Sequence, residues 1–492
     1  MKVSCVMCSL IIVLLIPLSM PHSAVWYVHP DSTLNSIQAG IGLCSTGDTV
    51  LVGPGTYVEN INFNGMAITV MSEYGPDTTI IDGGSPSNPD TASVVCFVGG
   101  EDTTSILHGF AIVNGSGTYD PVWAVFLGGG IYCHSSSPVV IGNVIHDNSC
   151  DYGGGIECEY SSAPIITDNA IFNNTANLSA GGIDCYYYSS PHIEGNIIDS
   201  NTAGSGGGGI QCYTYCSPNI IDNSFTGNHA GSWGGAIRCG DYSSPFIKDN
   251  VITGNQADVE GGGIECDNNA HPTIRCNSIT GNDANHGGGI QCDLNSSPII
   301  DSCLISGNLD GHGIWCEQGS NPFIYHNNII DNVGCAVFNL DASILVDSEN
   351  NWWGHTAGPY HPTGNPGGLG DTVSDYVDFD PWDTSPYPWG VEEYESLEPS
   401  VVELKVYPNP FRIATNIKYR TTENYDESSL RIYDIVGRRI RDLTNRVVTV
   451  GYQSSVKWDG TNEDCQRLPC GVYFLRLKAG DCIITEKMLL TR

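Results

Sequence analysis

The chain of 492 residues is short of positive charge over most of its length. Between Val25 and Ser400 the basic residues are Arg238, Lys248 and Arg275, against 43 acidic ones. A surface this acidic repels phosphate backbones and anionic lipid heads, so no nucleic acid partner is expected. It also opposes direct binding of polyanionic sugars unless Ca²⁺ bridges them, which leaves neutral glycans and cationic partners as the easier ligands. The shortage limits chemistry as well. Elimination at a uronate needs a base and a charge that neutralises the carboxylate, and this region has three cations to offer. Long apolar runs are scarce too. The apolar run Val6 to Leu18 is too short for a comfortable bilayer span and no later segment is long enough, so the chain does not read as an integral membrane protein. That run follows Lys2 and precedes His22-Ser23-Ala24, the layout of a signal peptide over residues 1–24. From Val401 to Arg492 the balance reverses to 15 basic against 11 acidic residues, which predicts a domain boundary near residue 400.

What the chain has in excess is one phrase: two or three glycines, Ile, any residue, Cys. It ends at Cys133, Cys158, Cys185, Cys212, Cys239, Cys266, Cys292 and Cys316, in steps of 25, 27, 27, 27, 27, 26 and 24 residues. A fixed period of this size predicts a solenoid whose coils bury their apolar faces by stacking. After each Cys come a polar turn, a Pro, and two Ile-rich stretches separated and closed by Asn, as at Asn148, Asn174 and Asn201. Apolar runs of two to four residues suit short strands and are too brief for helices. Asn is expected at the bends because it tolerates left-handed backbone angles, and its amide can bond to the same Asn one rung away.

Twenty cysteines in an exported chain would normally mean disulfides. Here the Ile and Cys of each phrase point the same way, into the coil, and rungs lie ~4.8 Å apart. Cβ atoms of a disulfide sit nearer ~3.8 Å, so the eight are expected to be buried, inert thiols. Zinc fits poorly, because buried rungs leave no room for tetrahedral geometry. Cys465, Cys470 and Cys482 leave room for one disulfide that cannot be assigned.

These repeats resemble the right-handed parallel β-helix superfamily, the pectin-lyase-like fold, from Val25 to Asp383. The resemblance implies the fold and not an activity, since the fold hosts lyases, hydrolases, esterases, epimerases, adhesins and binding proteins. The expected organisation is an N-terminal cap with irregular rungs (25–130), regular repeats (131–345), a C-terminal cap and linker (346–399) and a last domain (400–492). Within the first part, Asp31 to Gly42 has helical spacing with Asp31 or Ser32 as N-cap, a short helix covering the open end of the solenoid. The last domain contains Val406-Tyr407-Pro408-Asn409-Pro410-Phe411, Leu430 to Arg438, Trp458-Asp459-Gly460-Thr461-Asn462 and Gly471-Val472-Tyr473-Phe474-Leu475. These phrases resemble the C-terminal sorting domain of the bacterial type IX secretion pathway, itself similar to the immunoglobulin-like domain of flagellar hook-capping proteins. The resemblance implies a small Ig-like β-sandwich, contact with the secretion machinery, and a protein secreted or held at the outer cell surface of a bacterium.

Side chains between the buried positions should project from the coil. One such row reads Tyr132, Glu157, Asp184, Gln211, Arg238, Glu265, Gln291 and Trp315; the next reads His134, Glu159, Tyr186, Tyr213, Gly240, Asp267, Asp293 and Glu317. A third contains Tyr188, Tyr215 and Tyr242. Tyrosine faces stack on sugar rings and carboxylates bond hydroxyls, so Tyr186, Tyr213, Tyr188, Tyr215, Tyr242, Glu265, Asp267 and Asp293 are the candidate ligand-binding residues. Glu157 and Asp184, on adjacent rungs, are the candidate catalytic pair, near the ~5 Å separation of a retaining glycosidase. Solvated carboxylates are the plain alternative, with Arg238 explained by a surface ion pair to Glu265. No cofactor is required; Ca²⁺ is an option, with Asp378, Asp380 and Asp383 as donors lacking a complete loop pattern. His312 in Gly311-His312-Gly313 falls where other rungs have Gly. The expectation is an all-β right-handed parallel β-helix with a short N-terminal capping helix. Its favoured role is non-catalytic binding of an extracellular glycan or cell-surface polymer. The alternatives are a polysaccharide hydrolase or lyase and a structural adhesin.

Overall fold

The computed structural model describes residues 23–387 continuously. Beyond them it describes 402–407, 409, 411–412, 414–421, 428–434, 438–443, 454–463, 466–469, 471–479 and 482–491. The signal peptide, the linker, Cys465, Cys470 and the Cys482 side chain lie outside the described residues. The chain divides into two compact units, Met1–Val391 and Glu392–Arg492.

The first unit is a parallel β-helix. Each regular rung gives one strand to a 13-stranded sheet carrying the cysteines, one to a 14-stranded sheet after the proline, and one to an 11-stranded sheet before the ladder asparagine. Register is strict: Cys158 pairs with Cys133 and Cys185, Cys212 with Cys185 and Cys239, and Cys292 with Cys266 and Cys316. All eight cysteines are fully buried free thiols in one core with the stacked isoleucines. A parallel rung spacing leaves their sulfurs as a column of small apolar groups.

Two ladders of asparagine hold the bends. Asn174 Nδ2 donates to Asn201 Oδ1 at 3.0 Å, Asn201 to Asn228 at 3.0 Å and Asn228 to Asn255 at 2.9 Å. The same oxygen also accepts the backbone N–H of the preceding ladder residue, as Asn228 Oδ1 does from Asn201 at 3.1 Å. A second ladder runs through Asn143, Asn169, Asn196, Asn223 and Asn250. The left-handed residue is not the ladder Asn but the one before it: Asp147 (φ 54°), Asn173 (53°), Ser200 (52°) and Gly227 (62°). The bend turns at that position, and the buried Asn then spends all its polar atoms on neighbouring rungs.

The N-terminal helix is shorter than its spacing suggested. It covers Ile37–Ile41 with Ser36 as N-cap, and Glu59 accepts from the Ile37 and Gln38 N–H groups at 2.7 and 3.0 Å. Ser32 is drawn into a turn instead, its hydroxyl donating to the His29 and Leu34 carbonyls. At the other end Trp353, Val373, Val377 and Phe379 close the core.

A fourth sheet of eight strands was not legible in the repeat. It follows the ladder Asn and carries Ala176, Ala203, Ala230 and Ala257, all buried, with buried Ala284 continuing the row beyond its last strand. The chain then doubles back at a left-handed glycine, such as Gly234 (φ 65°) or Gly261 (65°), to re-enter the cysteine sheet. The next glycine of the phrase is forced by space. A Cβ on Gly235 would lie 2.3 Å from the Gly262 carbonyl oxygen. This fold-back brings a further strip of residues over the outer side of the cysteine sheet, in parallel bridges Gly206 to Trp233, Trp233 to Glu260 and Glu260 to His286.

The second unit is a small antiparallel sandwich. One sheet holds Val402–Tyr407, Thr415–Thr421 and Ser454–Trp458; the other holds Arg439–Asp442, Ser428–Asp434, Gly471–Ala479 and Cys482–Leu490. Ile417, Ile432, Trp458, Leu475 and Met488 are fully buried between them.

Candidate active site

The outward row of the cysteine sheet is in register as expected, Tyr132 beside Glu157, Glu157 beside Asp184, Asp184 beside Gln211 and Gln211 beside Arg238. It is not in solvent. Glu157 and Asp184 are each 1 % exposed and Glu265 is 0 % exposed, so the reading of solvated carboxylates is overturned. Strand alternation sends these side chains out of the coil, but the glycine fold-back covers them.

The covered space is a cavity of about 530 Å³. Glu157, Asp184, Gln211 and Arg238 form its floor, with Glu159, Tyr186 and Tyr213 beside them. The fold-back supplies Tyr152, Ser179, Ser205 and Trp233, and Trp123, Val125 and Leu127 line it as well. The last three come from an antiparallel hairpin, Gly117–Asp120 with Val125–Leu127, whose Leu127 packs on Cys96 and Tyr132. Arg238 is held between aromatic rings, 4.7 Å from the Trp233 centroid and 5.2 Å from that of Tyr213.

That clamp corrects the expected pairing of Arg238. Its Nη2 and Nε donate to Asp267 Oδ2 at 2.7 and 2.9 Å, with 13 % and 8 % of the two side chains exposed. It is a buried ion pair to Asp267, not a surface pair to Glu265, because the rings direct the guanidinium across to the neighbouring row.

Burial without full pairing sets the electrostatics. Glu157 Oε2 has no hydrogen-bond partner among the described residues. Desolvation, then repulsion from Asp184 and Glu159, pushes the Glu157 carboxyl well above the usual range. Asp184 is raised to about 7: burial raises it, while a 3.3 Å hydrogen bond from Gln211 Nε2 and the nearby Arg238 charge pull back. Two adjacent carboxyls raised in this way hold protons at a pH where ordinary carboxyls have lost them, which suits acid and base roles near neutral pH. Glu159 Oε1 accepts from Tyr132 Oη and pairs with His134 Nδ1 at 2.9 Å.

The structure sorts the eight candidate ligand-binding residues into separate places. Tyr186 and Tyr213 line the cavity. Tyr188, Tyr215 and Tyr242 stand on the next turn, half exposed and stacked at 5.2 Å with interplanar angles of 7° and 9°. Both faces of Tyr215 are therefore occupied by tyrosine. Asp267 is tied to Arg238. Glu265 and Asp293 lie past Arg238 in a carboxylate cluster with Glu260. His312 does occupy a repeat-glycine position (φ 79°), stacked on Phe338 with its Nδ1 accepting the Cys335 N–H at 2.6 Å. Asp378, Asp380 and Asp383 belong to no potential metal-ligand cluster among the described residues. Tyr152, Trp233, Glu260 and His286 were missed in the sequence. Their signal is positional: each stands immediately before the glycine phrase of its rung.

Residues 122–236 and 232–353 match the family model described as right handed beta helix region. Residues 405–491 match the model for a secretion system C-terminal sorting domain. No curated protein matches. Among solved structures the crystal structure of pectate lyase Pel9A is similar, at 12 % identity over 74 % of this chain and 79 % of that one, with a TM-score of 0.31. The chain thus joins a right-handed β-helix to a type IX sorting domain that marks it for export to the cell surface or beyond. No helix among the described residues is long and apolar enough to cross a membrane.

Proposed function

We propose that this exported β-helix protein is a glycan-hydrolysing enzyme whose active site is the cavity over Glu157 and Asp184. The observation that carries the reading is the pair itself: two adjacent buried carboxyls, one with an oxygen that has no partner among the described residues, facing a cavity large enough for a small ligand. Glu157 holds its proton at neutral pH because burial and Asp184 disfavour its charge. It is the general acid that protonates the glycosidic oxygen. Asp184, supported by Gln211 and Arg238, is the ionised partner that meets the anomeric carbon. Neighbouring parallel strands lie ~4.8 Å apart, which fits the short separation of a retaining mechanism. Glu157, once deprotonated, then activates the water that releases the sugar. Tyr186, Tyr213 and Trp233 supply ring faces and edges for the sugar, and the acidic surroundings favour a neutral glycan.

Non-catalytic glycan binding is the second reading, favoured by the same three aromatic side chains. Incubation with a panel of neutral polysaccharides separates the two. The enzyme reading expects release of reducing ends, lowered at least ~10³-fold by Glu157→Gln and by Asp184→Asn, a loss of about 4 kcal/mol in transition-state stabilisation. Glycan-array binding weakened by Tyr213→Ala, with no product from any polymer, would replace the enzyme with a binding protein.

A further inference from the structure

Beyond Arg238 the floor of the fold-back changes character. Glu265 is 0 % exposed, and neither carboxylate oxygen has a hydrogen-bond partner among the described residues. Asp293, 5 % exposed, has an unpartnered Oδ1, and Gln291, the neighbour of Glu265 in the same row, is fully buried with neither amide atom bonded among the described residues. Glu260 reaches down from the fold-back strip. One ligand atom each from Glu260, Glu265 and Asp293 fall within 4.8 Å of one another, and Glu260 makes a second such group with His286 and Glu317 at the half-buried edge. Arg238, the nearest cation, is engaged by Asp267. A buried carboxylate with no donor is costly, and several converging on one point repel each other. Among the described residues no donor makes a hydrogen bond to either Glu265 oxygen or to Asp293 Oδ1.

We infer that Glu260, Glu265 and Asp293 form a binding site for a divalent cation of the Ca²⁺ type, separate from the cavity over Glu157 and Asp184 and independent of the glycan reading. The donors are hard oxygens, with Gln291 Oε1 a further candidate, and no thiol faces them; oxygen sets of this kind suit Ca²⁺ rather than Zn²⁺. The ion would neutralise the carboxylates and tie the fold-back strip to the cysteine sheet through Glu260. His286 Nδ1 lies 3.6 Å from Glu260 Oε1, and its ring stacks on Trp315 at 4.4 Å between centroids. Trp315 is thus placed to sensitise a bound lanthanide.

The full chain, freed of metal with a chelator, is titrated with Tb³⁺ under tryptophan excitation and back-titrated with Ca²⁺. The expected result is one saturable site displaced by Ca²⁺ with a Kd of about 10⁻⁴ M or tighter. Asp293→Asn should weaken it at least ~10-fold, and Glu157→Gln should leave it unchanged. Glu260→Gln, at the half-buried edge, gives a second variant should Asp293→Asn fail to fold, and is expected to weaken binding to a similar degree. Absence of a saturable site in the wild-type chain overturns the proposal. So does equal binding by wild type and both cluster variants, or a site that Zn²⁺ fills and Ca²⁺ does not displace it from. Failure of the polysaccharide assay would leave this result untouched.

Discussion

Each ladder asparagine works at the limit of its hydrogen-bonding capacity. Asn228 donates to Asn255 Oδ1 at 2.9 Å and to the Ile198 carbonyl at 2.8 Å, and its Oδ1 accepts from both Asn201 Nδ2 and Asn201 N–H. Asn228→Ala removes all four bonds and leaves buried partners unpaired on two rungs. It is expected to cost about 3 kcal/mol, read from the shift of the urea unfolding midpoint; a cost below ~1 kcal/mol would mean that water replaces the amide. The direction of the ladder and the inward thiols were legible in the sequence because both follow from period and strand alternation. The place of the left-handed bend was not. Asp147, Ser200 and Gly227 share no side-chain chemistry that marks them, whereas the constant Asn beside them has a different job.

At the scale of the element, the glycine phrase does more than turn the chain. It permits a fold-back so close to the next rung that side chains cannot enter. Gly235→Ala would drive a Cβ to 2.3 Å from the Gly262 carbonyl oxygen, against rigid backbone, and is expected to lower the thermal midpoint strongly or prevent soluble expression. Gly254→Ala tests the contrast. Gly254 has φ 63° but open space around it, so the penalty should be about 1 kcal/mol. Similar costs for the two would show that backbone conformation, not close approach, explains the glycines. The fold-back also explains why the site was read only in part. Period-two alternation tells which side of a sheet Glu157 and Glu265 occupy; it is silent on whether another segment covers that side. Tyr152, Trp233, Glu260 and His286, which do the covering, vary in chemistry from rung to rung and are united only by preceding the glycines.

For the whole molecule, a chain with net charge −35 would be expected to expose its carboxylates, yet it seals several of them beneath the fold-back. Linkage makes this concealment measurable. Asp184 is raised to about 7 and Asp293 to about 8, in both cases chiefly by burial, and Glu157 and Glu265 are raised well above the usual range in the same sense. Below the usual carboxylate pKa near 4, folded and unfolded chains both hold these protons. As pH rises, the unfolded chain releases them first, so the folded state binds more protons and stability falls by about 1.4 kcal/mol per pH unit for each proton retained. The fall ends for each group once pH passes its folded pKa. Turn carboxylates such as Asp102, lowered by hydrogen bonds from Thr104, have the opposite sign, so the comparison must be made between variants. The direct measurement is the urea midpoint of the full chain from pH 4 to 8 in chelator, for wild type and for Glu157→Gln with Asp184→Asn. Wild type is expected to lose stability relative to the double variant steadily from pH 4 to about 7. Parallel curves would contradict it, since they would mean that both carboxyls titrate as solvated groups and that no sealed site exists.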